Sequence, residues 1–226
     1  MMIGARTAAW SKYGYTAKDY GNVAEMLDGI WNSGSERIPF DKTLTTWTSF
    51  GGASFNVNSW DDGHFCYPKA NAFIGSDSKF ISVPNGTSFT VEMVLFFDEY
   101  DSNYGSIGFG DAEYGSVATF YFRTNEVRIR KENAWNNSNG NNQVAATVQF
   151  VFDGTSIKYY RNGILISSWN DLLPVGTRKN VGTFHINSPY NTAHMRMAAF
   201  RLFETALTEK HLMSNCLIDK ARFNLP

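Results

Sequence analysis

Short runs of strand-forming residues recur through most of this chain, and turn-forming residues separate them. From about residue 72 onward, runs rich in Val, Ile, Phe, Tyr and Thr alternate with clusters of Gly, Asn, Asp and Pro, a pattern typical of many short antiparallel strands. Strands are predicted near 72–83, 88–97, 105–110, 116–123, 126–132, 143–152, 156–161, 164–168, 181–187 and 194–203. Because no helical segment lies between them, an all-β sandwich or jelly roll is favoured over a parallel α/β sheet.

One of the predicted hairpins has a well-defined turn. In "KYYRNGILIS", residues 158–167, two strand-forming runs flank Asn162 and Gly163. A type I′ turn needs a positive φ at both central residues, which Asn tolerates and Gly adopts freely. The pair therefore has a structural explanation that requires no function.

Helical periodicity is clear only at the C-terminus. Thr208 is a suitable N-cap for a segment that spaces Leu212, Met213, Cys216 and Leu217 along one face. This pattern predicts a short helix that packs on the sandwich.

The first 43 residues are less regular than the rest. Within them, "NVAEMLDGIW" suits a helical turn or an edge strand, and "NSGSERIPFD" suits a loop. No repeat or long linker divides the chain of 226 residues. We therefore predict one domain over residues 44–226, preceded by a segment, residues 1–43, that packs on it or extends from it.

Charge and hydropathy exclude several classes of partner. Lys and Arg number 20 against 21 Asp and Glu, so no strong field attracts nucleic acid or an acidic membrane. The best apolar run, "VEMVLFF", is too short to cross a bilayer, so no membrane insertion is expected.

The start, "MMIGARTAAWSKYGY", lacks the apolar stretch of a secretory signal. Either the protein is not exported by such a signal or the signal has been removed. Cys66 and Cys216 are too few for a disulfide framework and are expected to be reduced core residues.

Four stretches in order resemble the laminin G-like, concanavalin A-like jelly roll. They are "AFIGSDSKFISVP", "SFTVEMVLFF", "FVFDGTSIKYYRNGILISS" and "MAAFRLFETALTEKHLMSNCLIDKARF". The resemblance covers roughly residues 44–223. Within the family, the chain is especially similar to variants in proteins of gut bacteria and their phages. It implies two stacked antiparallel sheets, a short C-terminal helix, ligands on the concave face or along one edge, and an extracellular or virion-associated setting. It leaves the chemistry open, because this fold serves lectins, glycan-cleaving enzymes, adhesion modules and spacers.

The carboxylates needed for glycan cleavage are incomplete. Relatives of the laminarinase type carry Glu-x-Asp-x-x-Glu on a strand, so that a nucleophile and a general acid flank the glycosidic bond. The nearest match, "EYDSNY", has Glu99 and Asp101 but Tyr104 in place of the last carboxylate. A non-enzymatic protein is therefore predicted, with a glycoside hydrolase as the less favoured alternative.

Acidic residues are dense near position 100. Calcium binds six to eight carboxylate and carbonyl oxygens, and Asp98, Asp101 and Asp111 supply carboxylates within one short region. The spacing matches no EF-hand loop, and a solvated acidic loop is the favoured interpretation. A calcium ion is the one cofactor that the sequence suggests.

Two groups of residues are candidates for binding carbohydrate, which needs aromatic faces together with amides or Arg. The first is the amide-rich stretch "KENAWNNSNGNNQ", with Trp135, Asn136 and Asn139, which is interpreted as a loop. The alternative is that Trp135 folds back onto the sandwich edge while the Asn residues form turns.

The second group follows from strand alternation. Tyr121, Arg123, Arg128, Arg130 and Tyr160 are predicted to face outward. Together with Lys158 and Glu92 they are predicted to form a polar, aromatic stripe across one sheet. Any outward sheet face in a sandwich has a similar composition, so the stripe alone does not establish a site.

The favoured function is a non-enzymatic carbohydrate-binding module. The alternative is a structural or assembly module that makes protein contacts or self-associates through its N-terminal segment. That segment contains four aromatic residues within eleven positions, Trp10, Tyr13, Tyr15 and Tyr20, which would cover a partner if they do not pack on their own domain.

Overall fold

The structure is a computed structural model of the chain, mostly antiparallel β-sheet with one α-helix at the C-terminus. It describes residues 17–23, 25–28, 47–50, 65–66, 73–76, 88–97, 105–109, 119–123, 126–131, 134–139, 144–170, 184–186 and 195–226. Within these ranges no helix is long and apolar enough to cross a membrane.

Fourteen strands and two helices make up the described part of the chain. The strands are β1 (Glu25–Asp28), β2 (Trp47–Phe50), β3 (Phe65–Cys66), β4 (Phe73–Ser76), β5 (Phe89–Phe97), β6 (Gly105–Phe109), β7 (Thr119–Arg123), β8 (Glu126–Lys131), β9 (Ala134–Asn139), β10 (Ala146–Phe152), β11 (Ser156–Arg161), β12 (Ile164–Asn170), β13 (Phe184–Ile186) and β14 (Met195–Phe203). A 3₁₀ helix spans Ala17–Tyr20, and α1 spans Glu209–Phe223.

The strands form two seven-stranded sheets. The first sheet has the order β1-β14-β5-β10-β11-β12, with β3 also pairing with β14. The second has the order β2-β4-β13-β6-β7-β8-β9. All ten predicted strands overlap a strand of the structure.

Four strands were missed or left open by the sequence pattern. The first, β1, pairs with β14 at the edge of the first sheet, so the edge-strand interpretation of "NVAEMLDGIW" is confirmed. The stretch containing Trp135 is not a loop over its whole length, because β9 pairs with β8 from Glu126 to Lys131. The prediction failed there because Asn has a low strand propensity, which pairing with a neighbouring strand overrides. The predicted loop "NSGSERIPFD" lies outside the described residues.

The two sheets contact each other through their apolar faces. Phe122 of β7 meets Phe150 of β10 edge to face, with ring centroids 6.0 Å apart, and Phe150 stacks on Tyr159 at 5.2 Å. At one side, the hydroxyls of Ser138 on β9 and Ser167 on β12 lie 2.7 Å apart. This apolar layer between the sheets is the main core of the described region.

The opposite face of the first sheet is covered by α1. Val151, Tyr160 and Leu212 form one apolar cluster beneath the helix. Further along, Phe203 packs with Ile218 in a second cluster. The first sheet is therefore buried on both of its faces where the helix lies, which explains why all seven residues of β10 are buried.

The predicted N-cap of the helix is confirmed, and part of its predicted packing face is wrong. Thr208 accepts a hydrogen bond from the backbone N–H of His211. Leu212 and Cys216 are buried, but Met213 and Leu217 are 40% and 61% exposed. Polar side chains take part of the buried face instead, namely those of Asn215, Asp219 and Arg222.

The hairpin turn between β11 and β12 has the predicted conformation. Asn162 and Gly163 have φ values of 50° and 75°, as a type I′ turn requires. Asn162 also makes two hydrogen bonds to the backbone of Thr147. The backbone N–H of Asn162 donates to the carbonyl oxygen of Thr147 at 2.8 Å, and the side-chain oxygen of Asn162 accepts from the N–H of Thr147 at 3.0 Å. The turn thereby ties β10 to the hairpin.

Candidate functional site

Polar residues gather at two places: beneath α1, and on the outer face of the second sheet. Beneath α1, the guanidinium of Arg201 lies between two carboxylates, with Nη1 2.9 Å from Oδ1 of Asp219 and Nε 3.1 Å from Oε2 of Glu92. All three side chains are fully buried. We call them, with the partners below, the helix-sheet ionic cluster.

Asp219 accepts further hydrogen bonds within the helix-sheet ionic cluster. The hydroxyl of Tyr20 donates to its Oδ1 at 2.8 Å, and that of Thr147 to its Oδ2 at 2.9 Å. Arg222 in turn donates to the hydroxyl oxygen of Tyr20 at 2.9 Å. The 3₁₀ helix, β10 and α1 are joined through this one carboxylate.

Glu92 is bound on its other side by two amides. Gln149 donates to its Oε1 at 2.7 Å and Asn215 donates to its Oε2 at 2.9 Å. The Oε1 of Gln149 also accepts a hydrogen bond from the backbone of Gly163. The hairpin turn therefore contributes to the cluster.

The electrostatics of the cluster explain why it tolerates burial. Two guanidinium groups face two carboxylates, so formal charges cancel. Burial raises the pKa of Glu92 above its ordinary value, although the charge of Arg201 opposes this shift. Burial alone would lower the pKa of Arg201, but Asp219, Tyr20 and Glu92 together raise it well above the ordinary value. Arg201 therefore stays charged, and its interactions hold the helix on the sheet.

These contacts correct three expectations from the sequence. Glu92 does not lie on an exposed stripe, because it is fully buried. Tyr160 is 4% exposed, packs beneath the helix and donates to Glu209 at 3.3 Å. Tyr20 is 3% exposed and belongs to the ionic cluster rather than to a sticky N-terminal surface. For Glu92 and Tyr160, α1 covers a sheet face that alternation alone makes outward.

The second place is the face of the second sheet that points away from the core. On the core side, Val127 and Phe122 are opposite each other in β8 and β7, and both are fully buried. Side chains at paired positions share a face, and neighbours along a strand alternate. The residues next to Phe122 and Val127 along their strands therefore belong to the outer face.

The register aligns most of the predicted binding residues in cross-strand rows on this outer face. Arg130 pairs with Trp135 in one row. In the next row, Arg128 lies between Tyr121 and Asn137. We call the outer face of β7, β8 and β9 the Trp135 face.

A third row completes the Trp135 face. Glu126 lies between Arg123 of β7 and Asn139 of β9. Asn136 belongs to the opposite face, because it pairs with Ile129 in the row that contains Phe120. Six of the eight predicted carbohydrate-binding residues thus share the face, whereas Asn136 and Tyr160 do not.

One ion pair is defined on the Trp135 face. The Nε of Arg128 lies 2.7 Å from Oε1 of Glu126, and the two side chains are 28% and 19% exposed. Two residues apart on one strand, they point to the same side. The pair joins two rows of the Trp135 face and is partly exposed to solvent.

The candidate calcium ligands and the incomplete catalytic motif are not among the described residues. Asp98, Asp101 and Asp111, as well as Glu99 and Tyr104, lie outside the described ranges. In the parts of the chain that the structure does describe, no group of three or more His, Cys, Asp or Glu is placed to hold a metal.

Comparison with solved structures finds similar folds in the binding domains of botulinum neurotoxins and in a sialidase. The binding domain of botulinum neurotoxin serotype D/C VPI 5993 aligns with a TM-score of 0.60 and 12% identity over 90% of this chain and 53% of that one. The serotype D ligand-binding domain in complex with N-acetylneuraminic acid aligns at 0.52 and 11% identity, over 75% and 45%. Trypanosoma rangeli sialidase aligns at 0.56 and 12% identity, over 71% and 28%.

At these identities the likeness shows the fold alone, and it supports a β-sandwich. This chain spans about half the length of the neurotoxin chains. No protein-family model and no curated protein matches the sequence. The narrower assignment to the laminin G-like jelly rolls therefore stays a prediction.

Proposed function

We propose that this chain is a non-enzymatic carbohydrate-binding module of the jelly-roll type, and that the Trp135 face is its binding surface. The observation on which this rests is the register that places Trp135 beside Arg130, with Tyr121, Arg128 and Asn137 in the adjoining row. An aromatic side chain offers a surface for the apolar side of a sugar ring, while Arg and Asn offer donors and acceptors for hydroxyl pairs.

The arrangement of the sheets supports this location. On the first sheet, α1 covers the face that points away from the core, and its polar residues are bound to one another. Both described helices pack on that sheet, the 3₁₀ helix beside Phe203 and α1 on β10.

The absence of a complete catalytic pattern in the sequence supports a binding role. With Tyr104 in the place of the last carboxylate of Glu-x-Asp-x-x-Glu, the paired carboxylates of a glycosidase are not available in that motif. Two similar solved structures are named as binding domains, one of them in complex with N-acetylneuraminic acid, which is compatible with the proposal.

A broad glycan-array screen tests the proposal, with Trp135→Ala beside the wild type. We expect binding that is lost in the variant at an unchanged melting temperature. Asn137→Ala and Asn136→Ala form a matched pair, because these neighbours lie on opposite faces of β9; only the first should weaken binding. Retained affinity in Trp135→Ala would place the site elsewhere, and a blank array would reject the proposed function.

Calcium held by Asp98, Asp101 and Asp111 stays a prediction, and thermal unfolding of the protein tests it. A ligand that binds only the native state raises the melting temperature. Equal melting temperatures in calcium and in chelator would therefore refute it.

A second candidate, an assembly module, is favoured by a separate observation. Ile164, Leu165 and Ile166 are 62%, 46% and 43% exposed at the start of β12, the last strand of the first sheet. The strand "ILISSWN" has no charged residue to repel an identical strand, so a second copy of the chain is the proposed partner. Leu165→Lys should then convert a dimer to a monomer in sedimentation, whereas a monomeric wild type would exclude this role.

A further inference from the structure

The Trp135 face has an excess of positive charge in a chain that has none overall. The paired rows place these nine residues on it: Thr119, Tyr121, Arg123, Glu126, Arg128, Arg130, Trp135, Asn137 and Asn139. Three are Arg and one is Glu, so the face has a formal charge of +2, although the whole chain has −1. An acidic ligand would therefore be attracted here more than to the average surface.

A single carboxylate lies among the arginines of the face. Glu126 is the one acidic residue of the three strands on this side, and it lies 2.7 Å from Arg128. Glu126 also lies opposite Arg123 in the neighbouring strand, so the face has three arginines for one carboxylate. A guanidinium binds planar carboxylates and sulfates through two parallel hydrogen bonds.

The row that contains Trp135 continues far across the second sheet. Arg130 pairs with Thr119, Thr119 with Gly108, and Gly108 with His185. Neighbouring strands are about 4.8 Å apart, so His185 lies roughly 19 Å from Trp135 along the row. One strand spacing is close to the length of one sugar ring, and Gly108 has no side chain to obstruct a ligand that crosses it.

From these placements we propose that the ligand is an acidic oligosaccharide that lies across the strands from Trp135 toward His185. Its carboxylate or sulfate groups pair with the arginines of the Trp135 face, Arg130 first, and several sugar units contact the sheet. This inference rests on the proposed carbohydrate-binding function and specifies its substrate class.

Matched saccharides separate charge from sugar recognition. The probes are a keratan sulfate hexasaccharide, which contains no uronic acid, with its desulfated and therefore neutral form, and an oligogalacturonate with its methyl ester, each measured by titration calorimetry. We expect the charged member of one pair to bind at least about tenfold more tightly, because a hydrogen bond to a charged group is worth that much, and to weaken as salt rises. The pair that shows the difference distinguishes sulfate from carboxylate.

Variants then locate the charge effect. Arg130→Gln should weaken the acidic ligand about tenfold and leave the neutral form unchanged, and Arg130→Lys should recover part of the loss because it keeps the charge without the planar fork. Lys210→Gln removes the same charge from the exposed surface of α1 and should change nothing. Melting temperatures identify any variant that fails to fold.

Ligand length tests the direction of the site. Affinity should rise from disaccharide to hexasaccharide, and His185→Ala should weaken only the longer ligands. Equal binding of charged and neutral forms, with no effect of Arg130→Gln, would overturn the inference and leave the proposed function standing. A length series without any rise would overturn the placement across the strands, and a failure to bind any saccharide would reject the proposed function as well.

Discussion

The guanidinium of Arg201 and the carboxylate of Asp219 meet in parallel beneath the C-terminal helix, with Nη1 2.9 Å from Oδ1 and Nη2 2.5 Å from Oδ2. One residue lies on a central strand and the other on α1, and both side chains have no solvent exposure. The two hydrogen bonds therefore hold α1 on the first sheet and also set its position there.

Asp219→Asn should strongly destabilise the protein. The substitution leaves the buried guanidinium of Arg201 with Glu92 as its remaining carboxylate partner, and removing one member of a buried ion pair costs about 3–5 kcal/mol. Urea unfolding monitored by circular dichroism measures the loss. Lys220→Gln changes the charge of the adjacent, exposed residue and is the control; similar midpoints for the two variants would contradict the structural role of the pair.

Gly163→Ala should destabilise the protein through both backbone strain and crowding. The φ of Gly163 is +75°, and a Cβ there would lie 2.9 Å from Cε and 3.1 Å from Cα of Met213. Because the Cα belongs to the helix backbone, the helix would have to shift. We expect a loss of about 2 kcal/mol in the free energy of unfolding, within the range for strained non-glycine residues.

Gly21→Ala separates the two contributions to that loss. Gly21 has a φ of +97°, and a Cβ there would meet nothing within 4 Å. Its substitution should therefore cost only the backbone strain. If both variants lost the same free energy, contact between the hairpin turn and Met213 would not contribute to stability.

Local patterns predicted the elements of this fold better than they predicted its surfaces. Strand alternation, the Asn162-Gly163 turn and the cap at Thr208 depend on residues close in sequence, and each agrees with the structure. Alternation also placed Glu92 on the correct side of its strand, the side away from the sheet-sheet core. Its burial depends on a helix more than one hundred residues later in the chain, which no local pattern around Glu92 contains.

The same reason explains what was and was not predicted at the candidate site. The alternation of β7 and β8 is local and correctly placed Tyr121, Arg123, Arg128 and Arg130 together. Trp135 lies on the same face, and Asn136 on the opposite one, because β9 pairs with β8 in this register. An amide-rich strand has little intrinsic preference for pairing, so the sequence around it favoured a loop.

Acid should weaken the turn between β10 and β11 through Asp153. Partial burial opposes ionisation, but hydrogen bonds from the hydroxyl and N–H of Ser156 and the N–H of Thr155 outweigh it and hold the pKa of Asp153 well below its ordinary value. A lowered pKa in the folded state contributes stability above the unfolded pKa near 3.8 and loses it as the pH falls.

Asp153→Asn tests this contribution. Because the group is largely exposed, we expect a loss of only about 1 kcal/mol or less at neutral pH. The free energy of unfolding of the variant should also fall less than that of the wild type when the pH drops below about 4. Parallel pH profiles for the two proteins would show that the Asp153 carboxylate does not stabilise the turn.

The buried thiol of Cys216 should resist alkylation in the folded protein. Burial, together with the nearby carboxylates of Asp219 and Glu92, raises the pKa of Cys216 from 9.0 to about 12. The reactive thiolate is then about a thousandfold rarer at pH 8 than for an ordinary cysteine. Mass spectrometry after iodoacetamide treatment of a Cys66→Ser variant should show modification of Cys216 in urea and almost none in buffer.

The same thiol makes stability depend on alkaline pH. Because the folded state holds the proton to a higher pH than the unfolded state, stability is complete below the unfolded pKa and falls as the pH rises from about 9 toward 12. Cys216→Ala removes this titration, so the variant should lose less stability than the wild type between pH 9 and about 11. Rapid alkylation of Cys216 in buffer, at a rate like that in urea, would mean that α1 does not stay packed on the first sheet.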